Sequence, residues 1–159
     1  MILRPNENLK NIYEITPDML KKMGIKALLL DLDSTVMQSK TGVFTEKTLK
    51  WFEKFNNDFY VAIVTNNKNK EYIEKVNKKA PCKVYSNAKK PSPKILKEIV
   101  KGLYMKPKNA VFVGDRPLTD ILAGKLAGTK TILVGSINSH ENLLTKFVRF
   151  IERLTICPF

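Results

Sequence analysis

The stretch Ala27-Leu28-Leu29-Leu30-Asp31-Leu32-Asp33-Ser34-Thr35-Val36 decides the fold of this chain. Its first half is a continuous apolar run, the pattern of a buried strand. The run ends in two aspartates two residues apart, followed by the hydroxyls of Ser34 and Thr35. Buried strands ordinarily close in turn residues, not in bare carboxylates. Two anions this close are costly unless a metal cation, a proton or a phosphoryl group uses them. The end of this strand therefore reads as a reaction centre.

Outward from this run, short apolar segments alternate with amphipathic ones. Strands are predicted at residues 27–32, 59–65, 83–85, 110–114 and 131–134. Helices are predicted at 46–57, 68–79, 93–101 and 118–127, with Thr45 as an N-cap and Gly102 as a stop. The alternation implies βαβ units: an α/β, three-layer, Rossmann-like fold with a five-stranded, mostly parallel sheet. At 159 residues the chain is long enough for one domain and too short for two ordinary ones. Residues 1–25 are expected to form a helical lead-in, and 139–159 an amphipathic basic C-terminal helix.

Composition narrows the setting. Hydrophobic content is 43%, and no run approaches the roughly 18 apolar residues of a membrane span. The N-terminus lacks the apolar core of a secretory signal, so cytoplasmic residence is the expectation. Cys82 and Cys157 have no metal-binding spacing and are expected as reduced thiols. The net charge of +13 is uneven: residues 61–110 carry thirteen lysines against Glu71, Glu74 and Glu98. Such a segment either attracts anions, whether phosphorylated ligands or the acidic inner face of a membrane, or is a solvated lysine surface. It holds only Tyr72, Tyr85 and Tyr104 for base stacking and no nucleic-acid motif, so a nucleic-acid partner is disfavoured.

Ligands of open parallel sheets bind beyond the carboxyl ends of the strands, and polar groups gather there in this chain. The first predicted strand ends in Asp31 and Asp33, and the second in Thr65-Asn66-Asn67. The third leads to Lys89-Lys90-Pro91, and the fourth to Gly114-Asp115-Arg116-Pro117-Leu118-Thr119-Asp120. Oxygen ligands without His or Cys favour Mg²⁺ over zinc. Thr65 can donate to a phosphoryl oxygen, Lys90 offers a point charge, and a carboxylate can attack phosphorus.

On these four motifs, in this order, the chain resembles the haloacid dehalogenase (HAD) superfamily of aspartate-nucleophile phosphatases. The resemblance implies a HAD-type fold with Asp31 as nucleophile and Asp33 as general acid/base. It implies Thr65, Asn66, Lys90 and Arg116 on the substrate phosphate, although Arg116 could equally be a surface arginine. It further implies Mg²⁺ on Asp31, the backbone carbonyl of Asp33 and Asp115, with Asp120 acting through water or orienting Lys90. Only 31 residues separate Asp33 from Thr65, and 24 separate Thr65 from Lys90. That leaves no room for a cap domain, as in the uncapped subfamily IIIA.

Val64-Thr65-Asn66-Asn67, Lys90-Pro91, the Gly114–Gly124 segment and Thr131-Ile132-Leu133-Val134 sharpen the likeness, together with Leu3-Arg4-Pro5 and Ile15-Thr16-Pro17. They are similar to the YqeG-like branch, which includes mitochondrial and plastid phosphatidylglycerophosphate phosphatases. That lipid is the substrate the resemblance implies. A soluble sugar phosphate, nucleotide, phosphoprotein or nucleic-acid end is the alternative within the same chemistry. The C-terminal helix, with Lys146, Arg149 and Arg153 in one stripe, is expected to pack on the sheet or meet lipid headgroups. His140 is expected as a surface or capping residue, and Trp51 as helix packing.

Overall fold

The apolar run at 27–30 forms a central strand of a sheet in which every pairing is parallel. The structure is a computed structural model and describes residues 3–137. The expected C-terminal helix, His140 and Cys157 lie outside the described residues. The strands are β1 (Glu7–Leu9), β2 (Ala27–Leu30), β3 (Tyr60–Val64), β4 (Lys83–Tyr85), β5 (Ala110–Gly114) and β6 (Lys130–Val134). The helices are α1 (Pro17–Lys22), α2 (Glu46–Glu53), α3 (Lys70–Lys79), α4 (Lys94–Gly102) and α5 (Leu122–Ala127). Strand order is β1-β6-β5-β2-β3-β4. The chain thus leaves β2 in one direction to build β3 and β4, then returns to its other side for β5 and β6. Residues at the end of β2 stand where the two directions part, the usual ligand position of such sheets.

The sheet has six strands, not the expected five. Glu7–Leu9 pairs with β6 at the sheet edge, and Asn6 extends the pairing by accepting the Thr131 N–H at 2.9 Å. A three-residue edge strand that exposes Glu7 and Asn8 has neither the length nor the apolar period that marks a strand in sequence. The lead-in therefore contributes a strand as well as helix α1.

Side chains alternate across β2, and this alternation builds two cores. Leu28 and Leu30 face a cluster with Ile12, Trp51, Phe52, Phe55 and Ile63 beneath α1 and α2. Ala27 and Leu29 face a second cluster with Leu96, Val100, Phe112 and Ala123 beneath α4 and α5. Thr45 caps α2 by accepting the Thr48 N–H, which sets Trp51 and Phe52 on its inner face. The Trp51 indole is buried and donates to the Ile15 carbonyl at 3.1 Å. Truncating Phe52, which is fully buried, would cost about 3–5 kcal/mol. Gly102 closes α4 as expected, although the residue that takes the left-handed conformation is Tyr104 (φ 54°).

Candidate active site

Three neighbouring strand ends bring the first polar groups together. Asp31 leaves β2, Thr65 leaves β3 and Asp115 leaves β5, the strands that flank β2 on either side. Lys90 arrives on the loop after β4. Asp120 arrives on a π-helical turn, Pro117–Ile121, directly after β5. Such wide turns redirect a side chain that an α-helical turn would carry past the site. Gly114 makes the turn possible, because a Cβ there would lie 2.3 Å from the Asp120 carboxylate.

The Lys90 ammonium is the hub. It donates to Asp31 Oδ1 at 2.6 Å, to Asp120 Oδ1 at 2.8 Å and to the Val64 carbonyl at 3.0 Å. All three of its donors are thereby used, and the side chain is 2% exposed. Asn66 fixes the lysine backbone, accepting the Lys90 N–H at 2.7 Å and donating to its carbonyl at 3.0 Å. The Asn66 amide, expected on the substrate phosphate, is bonded to the Lys90 backbone in this structure. The Arg116 N–H donates to Asp120 Oδ2 at 3.1 Å, which brings its backbone into the site. The Thr65 hydroxyl is buried and accepts the Asn67 N–H at 3.1 Å, leaving its proton to donate.

Burial of carboxylates dominates the electrostatics. The Asp31 carboxyl is pushed up to about 7, chiefly by loss of water and then by the Asp120 charge, against the pull of Lys90. For Lys90, burial favours the neutral amine, but the Asp120 and Asp31 carboxylates overcome it and hold the ammonium above the ordinary lysine range. One fixed cation therefore faces three carboxylates.

Those carboxylates are also a credible metal set. Asp31, Asp115 and Asp120 each offer an oxygen, and these oxygens lie within 4.8 Å of one another. Thr35 Oγ1 lies 3.3 Å from both Asp31 Oδ2 and Asp115 Oδ1 and ties the two together. An all-oxygen, anion-rich pocket with one lysine fits a hard divalent cation in charge and donor type. The Asp33 carboxylate is not part of this cluster, so a ligand from that residue falls to its backbone carbonyl.

Asp33 faces elsewhere. Its Oδ1 accepts the Tyr72 hydroxyl at 2.6 Å and the Lys40 backbone N–H at 3.0 Å. Burial and the Asp33 bond hold the Tyr72 phenol above the ordinary tyrosine range, so it remains a donor. Tyr72 and Lys40 are the site residues that sequence reasoning missed. Tyr72 reads as one aromatic on a basic helix, and only the approach of α3 to the loop after β2 shows its use. Thr35 was signalled by the hydroxyl pair beyond Asp33. Among the thirteen lysines of 61–110, Lys90 is buried and twelve are exposed. Cys82 is a free thiol whose ionisation burial pushes up to about 12. Among the described residues, no helix is long and apolar enough to cross a membrane.

Comparison with known proteins places this geometry. The model of the family described as mitochondrial PGP phosphatase matches residues 1–137. The probable phosphatase YqeG of Bacillus subtilis (strain 168) is 31% identical over 149 residues, which are 94% of this chain and 87% of that protein. A glyceraldehyde 3-phosphate phosphatase of Pyrococcus furiosus is 44% identical over 48 residues, 30% of this chain and 20% of the relative. Two solved structures share the fold. One is an uncharacterized protein from Listeria monocytogenes serotype 4b, with a TM-score of 0.58 at 18% identity over 74% of this chain and 85% of that one. The other is a putative HAD-like phosphatase from Mesorhizobium loti, with a TM-score of 0.55 at 23% identity over 68% and 71%. The extent of the family match and of the YqeG likeness shows that the chain belongs to the mitochondrial PGP phosphatase family, among the YqeG-like phosphatases.

Proposed function

We propose that this phosphatase is a Mg²⁺-dependent phosphomonoesterase that works through an aspartyl-phosphate on Asp31, with phosphatidylglycerophosphate as its substrate. The observation that carries the reading is the buried Lys90 ammonium shared by Asp31 and Asp120 at the end of β2. An Asp31 oxygen attacks phosphorus, and the bond from phosphorus to the leaving oxygen breaks. Asp33 gives its proton to that oxygen. The same carboxylate then takes a proton from the water that attacks the aspartyl-phosphate, which releases phosphate and restores Asp31. Thr65 donates to a phosphoryl oxygen, and the Lys90 charge offsets the negative charge that moves onto the phosphoryl group. Asp120 and the Asn66 amide keep the lysine in place.

Asp31, the Asp33 backbone carbonyl and Asp115 would hold Mg²⁺, with Asp120 reaching it through water. The ion would supply charge neutralisation at the phosphoryl oxygens and keep Asp31 ionised.

The substrate reading is supported by the family description and by the twelve exposed lysines of residues 61–110, which suit a peripheral stand on the anionic inner face of a membrane. The match to a glyceraldehyde 3-phosphate phosphatase favours the second reading, a soluble phosphate ester. The deciding assay compares phosphatidylglycerophosphate in anionic vesicles with a panel of soluble phosphomonoesters, each with Mg²⁺ and with EDTA. The expected result is faster turnover of the lipid, abolished by EDTA. Turnover of soluble esters with none of the lipid would reject the lipid substrate.

A further inference from the structure

Tyr72 meets the chemistry described above through its hydroxyl and also lines a groove beside it. Its hydroxyl holds Asp33 Oδ1 at 2.6 Å. Its flank walls a groove of about 450 Å³ lined by Lys40, Asn67, Asn69, Glu71, Tyr72 and Lys75. We infer that this groove is the leaving-group subsite, and that Lys40 and Lys75 there take a second anionic group on a phosphorylated polyol. The inference rests on the phosphatase reading and extends it to the shape of the ester.

Direction supplies the first argument. In an in-line displacement the leaving oxygen departs on the side opposite the attacking carboxylate. The group that protonates it must lie within hydrogen-bond reach of it. Asp31 and Lys90 define the attacking side. Asp33 is held on the α3 side by Tyr72 and by the Lys40 N–H. The leaving group therefore extends towards α3 and the loop before α2, and the groove that begins there is this one.

The groove is also built rather than incidental. Lys75 donates from Nζ to the Thr41 carbonyl at 3.0 Å, which pins its ammonium across the groove from α3 to the opposite loop. Its stem crosses Gly42, where an added Cβ would lie 3.0 Å from Lys75 Cδ and 3.1 Å from Cε. Gly42 itself is buried with φ 65°, a conformation that suits glycine. Asn67 and Asn69 use their amide oxygens to order the start of α3, bonding the N–H groups of Asn69 and Tyr72. Glu71 adds an acceptor for a hydroxyl. Two lysines against one glutamate leave an excess of one positive charge, which matches one further anionic group rather than a polyanion. A glycerol phosphate whose other end carries a phosphodiester has this pattern of hydroxyl and second anion.

The test uses two water-soluble esters, so that membrane binding plays no part: glycerol 1-phosphate, and the deacylated headgroup glycerophosphoglycerol phosphate. Both are assayed with Mg²⁺ on the full chain and on Lys40→Ala, Lys75→Ala, Lys40→Arg and Lys75→Arg. The wild-type chain is expected to prefer the doubly anionic ester in kcat/KM. Each alanine variant is expected to reduce that preference about tenfold, the size of one charge-assisted contact, mainly through KM. The arginine variants are expected to retain most of it. An unchanged preference in both alanine variants, or an equal fall on both esters, would overturn the subsite while leaving the phosphatase reading intact. No turnover of either ester, or of p-nitrophenyl phosphate, by the wild-type chain would overturn both.

Discussion

Asp31 and Asp33 stand two residues apart and live in different environments. Asp31 is 9% exposed, bonded to a buried ammonium, and its carboxyl is pushed up to about 7. Asp33 is partly exposed and rests on two neutral donors, the Tyr72 hydroxyl and the Lys40 N–H. The difference arises from geometry: Asp31 ends a strand flanked by two others, whereas Asp33 belongs to the loop that turns away from the sheet. Water is excluded from the first and reaches the second. A dry carboxylate fixed by a lysine suits attack at one place. A wetter one held by uncharged donors suits the delivery and recovery of a proton.

The severest way to break this contrast is Asp31→Asn. It is expected to lower turnover of any phosphomonoester by about 10⁴-fold or more, while circular dichroism shows the fold retained. Full activity in that variant would remove Asp31 as the nucleophile and end the contrast.

Next in size is the effect of pH on stability without metal. The folded carboxyl of Asp31 titrates near 7 against an ordinary value of 3.8, so the folded state binds the proton more tightly than the unfolded chain. The stability this contributes is complete below about pH 4 and is lost as pH rises through about 7. Lys90, raised in the folded state, stays charged across this window and does not reverse the trend. In EDTA, the melting temperature should therefore fall between pH 5 and pH 8 through Asp31. Mg²⁺ competes with the proton, so it should raise the melting temperature more at pH 8 than at pH 5. An equal shift at both pH values would place metal binding away from Asp31.

The smallest effect sharpens the contrast on the Asp33 side. Tyr72→Phe removes one hydrogen bond to a partly exposed carboxylate and leaves the Lys40 N–H in place. It is expected to lower kcat about tenfold and to change stability by no more than about 1 kcal/mol, with KM for p-nitrophenyl phosphate little altered. An unchanged kcat would show that the backbone donor alone positions Asp33.

Much of the catalytic edge was legible because local composition encodes it. An apolar run that stops at Asp31, another that stops at Thr65 and a third that stops at Gly114-Asp115 mark strand ends without any tertiary information. The first strand was not legible. Glu7 and Asn8 are exposed, and their pairing is set by β6, far along the chain. The partner of the Asn66 side chain was not legible for a similar reason. Its neighbour Thr65 faces the site, but its own amide is satisfied by the Lys90 backbone from another loop. Tyr72 had no local signal, since one tyrosine among lysines reads as surface.

By itself, the sequence determined which polar groups end the strands, two carboxylates, a hydroxyl and a third carboxylate, and their order along the parallel sheet. Strand periodicity and strand-end composition are properties of neighbouring residues, so they survive in one dimension. Only the tertiary structure decided how those groups are charged and aimed. Lys90 reaches Asp31 across 59 positions and Asp120 across 30, and Tyr72 reaches Asp33 across 39. Desolvation and Coulomb interaction depend on distance and surroundings in space. Those quantities make Asp31 and Asp33 different groups, and they exist only once the sheet is assembled.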